Sequence, residues 1–338
     1  MAMKISMPVR DLAEETLRFC RQIGVEGVSI PGRYVGERVG GPARPLVPRA
    51  QESCRGSQAR PWDEEELKRI CGRVEEFGLV PLSLSLGFSR RILLGEVGRE
   101  ADAALARQAI GAAGRAGIGV LHCNFTALRA SAGYQLQRGA GRGGADLRRF
   151  DYEEIRRLPP IDEVGSHSAE EMWERLEWVL RQVVPAAEEA GVRLAMHPND
   201  PPVPVFRGVA QPLTDLASMK RLIDVVDSPA NSVFFDTGVT TEWGEDAVEV
   251  IGYFGGRDRI AAVHFRNVRV QQLRYRYLET FIDEGDCDMA ASMAALKEVG
   301  YDGGVDPDHT PGISGDSEDM KAGWTYAVAY MRALREAC

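Results

Sequence analysis

The chain has 338 residues, 44% of them apolar, and carries 41 Lys plus Arg against 50 Asp plus Glu, a formal net charge of −9. That length suits one large α/β barrel or two ordinary domains, and the apolar fraction allows a full core. The acidic balance argues against nucleic acid or an anionic membrane surface as partner, because phosphates repel it, while local basic groups can still line a site for a small anion.

The opening stretch MAMKISMPVRDLAEE lacks the long apolar run of a signal peptide, and no segment has the length and apolarity of a bilayer span. The cysteines, Cys20, Cys54, Cys71, Cys123, Cys287 and Cys338, show no C-x-x-C spacing. A structural zinc site is therefore not expected, and reduced thiols in a cytoplasmic protein are the simplest reading.

Short apolar runs alternate with amphipathic stretches. The pattern predicts strands over 4–9, 27–30, 80–86, 119–124, 192–197, 232–236, 260–265 and 304–306. Helices are predicted over 11–22, 64–77, 99–116, 169–190, 216–226, 247–254, 289–299 and 317–336. Trp173, Leu176, Val179, Leu180 and Val183 illustrate the helical spacing. Phrases such as QIGVEGV, EFGLVPL and EAGVRLA place a Gly where a helix ends and a strand begins. Eight such units predict a (β/α)8 TIM barrel, one domain over 1–338, with long insertions after strands 2 and 4, at 31–60 and 126–168. An open doubly wound sheet would place a glycine-rich phosphate turn after the first strand, and MPVRDLAEE has no glycine. Both insertions follow strands, so both belong to the face where barrel active sites lie. The second contains GAGRGGADLRR, which reads as flexible.

Three of the five histidines stand at carboxyl ends of predicted strands: His197, His264 and His309. Asp236 ends another strand, and Asp308 sits beside His309. A polar residue closing an apolar strand is desolvated and needs a partner. Singly, each is as well explained by a loop cap; jointly, His197, Asp236, His264 and Asp308 form a mixed nitrogen and oxygen set suited to a divalent transition metal. His122, next to Cys123, reads as a packing residue or as a partner behind the ligands. In HPNDPP, Asp200 is an acid/base candidate, equally well explained as a turn residue before proline. Arg266, beside His264, suits planar recognition of a carboxylate, with a surface ion pair as the plainer alternative. Asp286 and Asp288 read as caps of the helix that follows.

CNF at 123–125, VVPAAEEAGVRLAMHPNDPP at 183–202, SPANSVFFDTG at 228–238, VHFRNV at 263–268, EGDCDM at 284–289 and YDGGVDPDH at 301–309 together resemble the mannonate dehydratase family, a branch of the xylose-isomerase-like barrels. The resemblance runs through most of the chain in order. It implies a divalent metal, usually manganese, held by His197, Asp236, His264 and Asp308; the donor set itself also admits Mg²⁺, Fe²⁺, Co²⁺ or Zn²⁺. It also implies loss of water from D-mannonate to give 2-keto-3-deoxygluconate, with His309 and Asp200 as acid/base candidates and Arg266 as carboxylate clamp. A small sugar acid or sugar as ligand, homo-oligomers and a cytoplasmic location are further expectations. The chain departs from the family pattern where Asp236 replaces a cysteine and Asp306 an arginine. TALRASAGY follows CNF in place of an aromatic, arginine-rich phrase, and TPGISGDSEDMKAGW follows PDH in place of a tyrosine-containing one. These departures point to a different polyol acid, or to a sugar isomerase or epimerase using similar chemistry. A non-catalytic sugar-binding barrel is disfavoured by the four ligand positions.

Overall fold

A computed structural model describes residues 3–30, 62–128 and 133–338. The insertion expected at 31–60 lies outside the described residues.

Eight parallel strands close into a barrel. They are Lys4–Pro8, Gly27–Ile30, Val80–Gly87, Val120–Asn124, Arg193–His197, Asn231–Asp236, Ile260–His264 and Gly304–Asp306. Each pairs with the next in sequence, and the eighth closes on the first through Lys4↔Gly304 and Ile5↔Val305. The (β/α)8 expectation holds and the open sheet does not.

Strand alternation divides the apolar residues into two sets. Those facing outward, such as Ile5, Leu121, Leu194 and Val305, join the main core with helix residues including Leu17, Ile70, Val179, Leu222 and Leu296. A smaller cluster of Ala195, Phe234, Ala261 and Ala262, with Val120 against it, forms apart from that core. Local signals set many helix ends. Gly24 closes Glu14–Ile23 in the left-handed region at φ 92, and Ser168 with Glu171 forms a capping box at the start of Ala169–Glu189. Asp288 caps Met289–Glu298 as expected; Asp286 instead accepts from the Val270 amide at 2.7 Å.

The insertion after the fourth strand corrects the sequence reading. Gln135–Gln137 and Leu147–Asp151 join the hairpin Val268–Gln272/Arg276–Glu279 in a four-stranded antiparallel sheet. The glycine-rich piece read as flexible is tied down. Arg142 pairs with Asp283 at 2.8 Å and stacks on Phe281, while Leu147–Asp151 lies beside Arg276–Glu279. Its partners lie more than a hundred residues away, so no local pattern revealed them. The helix Thr237–Trp243 also escaped the sequence reading, because TGVTTEW is poor in helix formers. Asp236 caps it through the Val239 amide at 2.7 Å, and burial of most of its residues supplies the rest.

Candidate metal centre

Register brings the polar strand ends to one level. Asn124 is opposite His197, Asp236 opposite His264, and His264 opposite Asp306. Two residues earlier on the same strand faces stand Ala195, Phe234 and Ala262, the small separate cluster. The Phe234 ring packs against three imidazoles, with centroids 4.1 Å from His264, 4.4 Å from His122 and 5.3 Å from His197.

His197 Nε2, His264 Nδ1 and Asp236 Oδ2 form a triangle with edges of 3.0, 3.4 and 3.4 Å. They are the cluster of metal-ligating groups found among the described residues. Donor atoms about 2.1 Å from one ion at octahedral or tetrahedral angles lie about 3.0–3.5 Å apart, so the triangle fits a divalent ion. The donor chemistry agrees. His197 Nδ1 donates to the Pro198 carbonyl at 2.7 Å, which leaves its Nε2 as a lone pair. Burial pushes the Asp236 carboxyl up, but Arg266 and the two imidazoles hold it well below the ordinary carboxylate range. Burial pulls His264 down; Asp308, Asp306 and Asp236 outweigh it and raise its pKa to about 9.

The fourth expected ligand stands differently. Asp308, at φ 55, lines the same cavity but falls outside the triangle. Its Oδ1 is 3.6 Å from His264 Nε2, the nitrogen facing away from the other two donors, and its Oδ2 is 2.9 Å from His309 Nδ1. A left-handed residue after the strand breaks the alternation that aims the other three. Asp306, read from sequence only as a reversal of charge, is buried 3.7 Å from His264 Nε2, and burial with Asp308 nearby raises its carboxyl to about 6.

Arg266 requires a correction. Read as a clamp for a substrate carboxylate, it is 2% exposed and faces five carboxylates of the protein. Asp236 and Glu242 lie at 3.0 Å, Asp200 and Asp308 at 3.5 Å, and Glu279 at 3.6 Å. Its donors are engaged, and it organises the acids that surround the triad. Gly238 makes room for it: a Cβ there would stand 2.8 Å from the guanidinium carbon.

The acid/base candidates meet at one cavity of about 150 Å³, lined by His122, Asn124, Asp200, His264, Asp308 and His309 among others. Asp200 accepts a short hydrogen bond from Tyr134, whose hydroxyl is 2.7 Å from that of Tyr277. Burial raises the Asp200 carboxyl despite Arg266. His309 Nδ1 faces Arg148, Glu279 at 3.2 Å and Asp308. Burial and Arg148 lower its pKa, but Asp308 and Glu279 carry it to about 9. Asn199 is structural, donating to the Phe125 carbonyl and accepting from the Leu213 amide. Asn267 likewise bonds backbone groups of Val268, Ile282 and Cys287.

Sequence reasoning missed Tyr134, Arg148, Glu242, Tyr277 and Glu279. Only Glu242 left a signal, a lone charge in TGVTTEW; the others come from the sheet that the insertion builds. His122 is a lining residue, whereas Cys123 faces the outer core.

Fold and triad define a (β/α)8 barrel with a candidate metal centre at the carboxyl ends of its strands. The model of the family D-mannonate dehydratase (UxuA) matches residues 159–337, just over half of the chain, and the chain belongs to that family. The mannonate dehydratase of Enterococcus faecalis is 37% identical over 175 residues, 50% of this chain and 48% of that protein. The chain thus spans about half the length of that relative. Mannonate dehydratase of Streptococcus equi subsp. zooepidemicus is 28% identical over 304 residues, 82% of this chain and 83% of that one. The crystal structure of mannonate dehydratase from Streptococcus suis serotype2 shares the fold, with a TM-score of 0.81 at 24% identity over 99% of this chain and 93% of that chain. No described helix is long and apolar enough to cross a membrane.

Proposed function

We propose that this chain is a divalent-metal-dependent dehydratase of a sugar acid, D-mannonate or a close relative, with Mn²⁺ as the metal. The carrying observation is the triangle of His197, Asp236 and His264 in a chain of this family. Asp308 lines the same cavity outside the triangle, and its carboxylate would have to turn away from His264 Nε2 to become a fourth donor. A cation held there supplies a Lewis acid for the negative charge that develops beside the substrate carboxylate. Two imidazoles with carboxylate oxygens are a donor set that Mn²⁺ accepts.

The protein's own groups account for the proton movements. Dehydration breaks the C2–H bond and the C3–O bond of the acid. Asp200, a carboxylate made more basic by burial and held by Tyr134, takes the C2 proton. His309, protonated at neutral pH, gives a proton to the 3-hydroxyl as it leaves as water. The resulting enol gains a proton at C3 and loses one from the C2 hydroxyl, giving the 2-keto-3-deoxy acid. Arg266 fixes Asp200 and Asp236 relative to one another through the same guanidinium.

The test is a Mn²⁺-loaded preparation incubated with D-mannonate and other aldonates, followed by semicarbazide detection of 2-keto-3-deoxy acids. Product with the wild type, and neither metal nor product with His264→Ala, is expected. Product from metal-free protein overturns the proposal. So does solvent deuterium entering a ketose without any keto-deoxy acid, the outcome of an isomerase.

A further inference from the structure

The proposed proton transfers use the charged side of the cavity; the face that the fourth strand offers is uncharged. His122, Asn124 and Thr126 are alternate residues, and all three line the cavity. Asn124 Nδ2 donates to His122 Nε2 at 3.2 Å, which places the imidazole hydrogen on Nδ1. His122 is held edge-on to Phe234, 5.7 Å from the His197 ring and 6.1 Å from the His264 ring. It is not part of the triad. Asn124, having given an N–H to His122, retains a carbonyl oxygen, and Thr126 accepts from the Leu128 amide at 3.2 Å and retains its O–H.

We infer that His122, Asn124 and Thr126 form a subsite for the non-reacting hydroxyl groups of a polyhydroxylated ligand, with His122 Nδ1 as donor and the Asn124 carbonyl as acceptor. This rests on the sugar-acid reading for the class of ligand, not for the reaction. A row of N–H, C=O and O–H groups without net charge complements alcohols, which both donate and accept. It discriminates against analogues lacking a hydroxyl, since a missing partner leaves a desolvated polar group unpaired. A charged residue in this row would instead favour a second ionic group, and the fourth strand supplies none. His122 and Asn124 lie on the strand beside His197, so the subsite adjoins the metal position.

The experiment measures binding rather than turnover. Mn²⁺-loaded wild type, His122→Phe and Thr126→Val are titrated calorimetrically with D-mannonate, D-mannitol and the 4-, 5- and 6-deoxy mannonates, after metal content is measured for each. We expect full metal content in both variants. His122→Phe should weaken D-mannonate about tenfold while weakening one deoxy analogue less than about twofold. His122→Gln, which restores an N–H, should recover part of the loss. Thr126→Val should show the same selective loss at another hydroxyl, and keeps the test open if His122→Phe fails to fold. Equal losses for mannonate and every deoxy analogue, loss of metal, or unchanged affinities would overturn the assignment. A wild type that binds neither acid nor alditol would also overturn it. Binding without formation of a keto-deoxy acid would leave the subsite standing and refute the dehydratase reading.

Discussion

Metal binding at this centre should release a proton, and the structure sets the pH range. In the metal-free protein His264 has a pKa of about 9, because Asp308, Asp306 and Asp236 outweigh the burial that pulls it down. At pH 7 only about one His264 in a hundred then offers a lone pair at Nδ1, since each pH unit below the pKa is a factor of about ten, or about 1.4 kcal/mol. Asp236 is already ionised, so a cation entering the triangle displaces one proton, from His264. Apparent Mn²⁺ affinity should therefore rise about fiftyfold between pH 7 and 9 and level off above about pH 10 at about a hundredfold. Below about pH 6, where Asp306 becomes protonated, the slope should change. Anaerobic calorimetry at pH 7 in two buffers of different ionisation enthalpy counts the proton directly. Asp308→Asn removes the largest charge raising His264, so its count at pH 7 should drop below that of wild type. Zero protons released by wild type at pH 7, or an affinity independent of pH between 6.5 and 8.5, would refute the reasoning.

The same shift makes the metal-free fold sensitive to base. A folded-state pKa raised above the ordinary 6.5 contributes stability that is complete below 6.5 and is lost as pH rises to about 9. For His264 that is about 3 kcal/mol, read as a falling urea midpoint in metal-free protein that Mn²⁺ abolishes. Arg266→Met leaves five carboxylates without their shared cation and should cost more than about 3 kcal/mol in urea denaturation; a change under about 1 kcal/mol would contradict a buried network held by this guanidinium. Phe234→Ala opens a void against three imidazoles and should cost about 3–5 kcal/mol in the metal-free protein, with weaker Mn²⁺ binding measured alongside. Tyr134→Phe removes the hydroxyl that donates to Asp200 and should lower kcat about tenfold or more with metal content unchanged, checked by steady-state kinetics and metal analysis.

The sequence by itself determined the barrel. Helical and strand periodicities, glycine helix ends and the absence of a phosphate turn are local signals, and each records how a short segment buries its apolar face. It also pointed to His197, Asp236 and His264 as candidates, because a polar side chain closing an apolar strand marks the same rim in every strand, and the structure brings these three together. Tertiary structure decided the rest. Asp308 and His309 were visible, but only the left-handed turn at Asp308 shows that it faces His309 and the outer nitrogen of His264. Arg266 read as a free clamp, since the five acids around it come from elements up to 66 residues away. The glycine-rich insertion read as flexible, since its strand Leu147–Asp151 is recognised only by its partner, the distant strand Arg276–Glu279. That sheet carries Tyr134 to Asp200 and Arg148 to His309. Local patterns encode which residues are buried and in what conformation; which distant charges meet, as Arg266 with Asp200 or Arg148 with Glu279, is fixed by strand register and by loops closing over the barrel mouth, and no short window of sequence contains both partners.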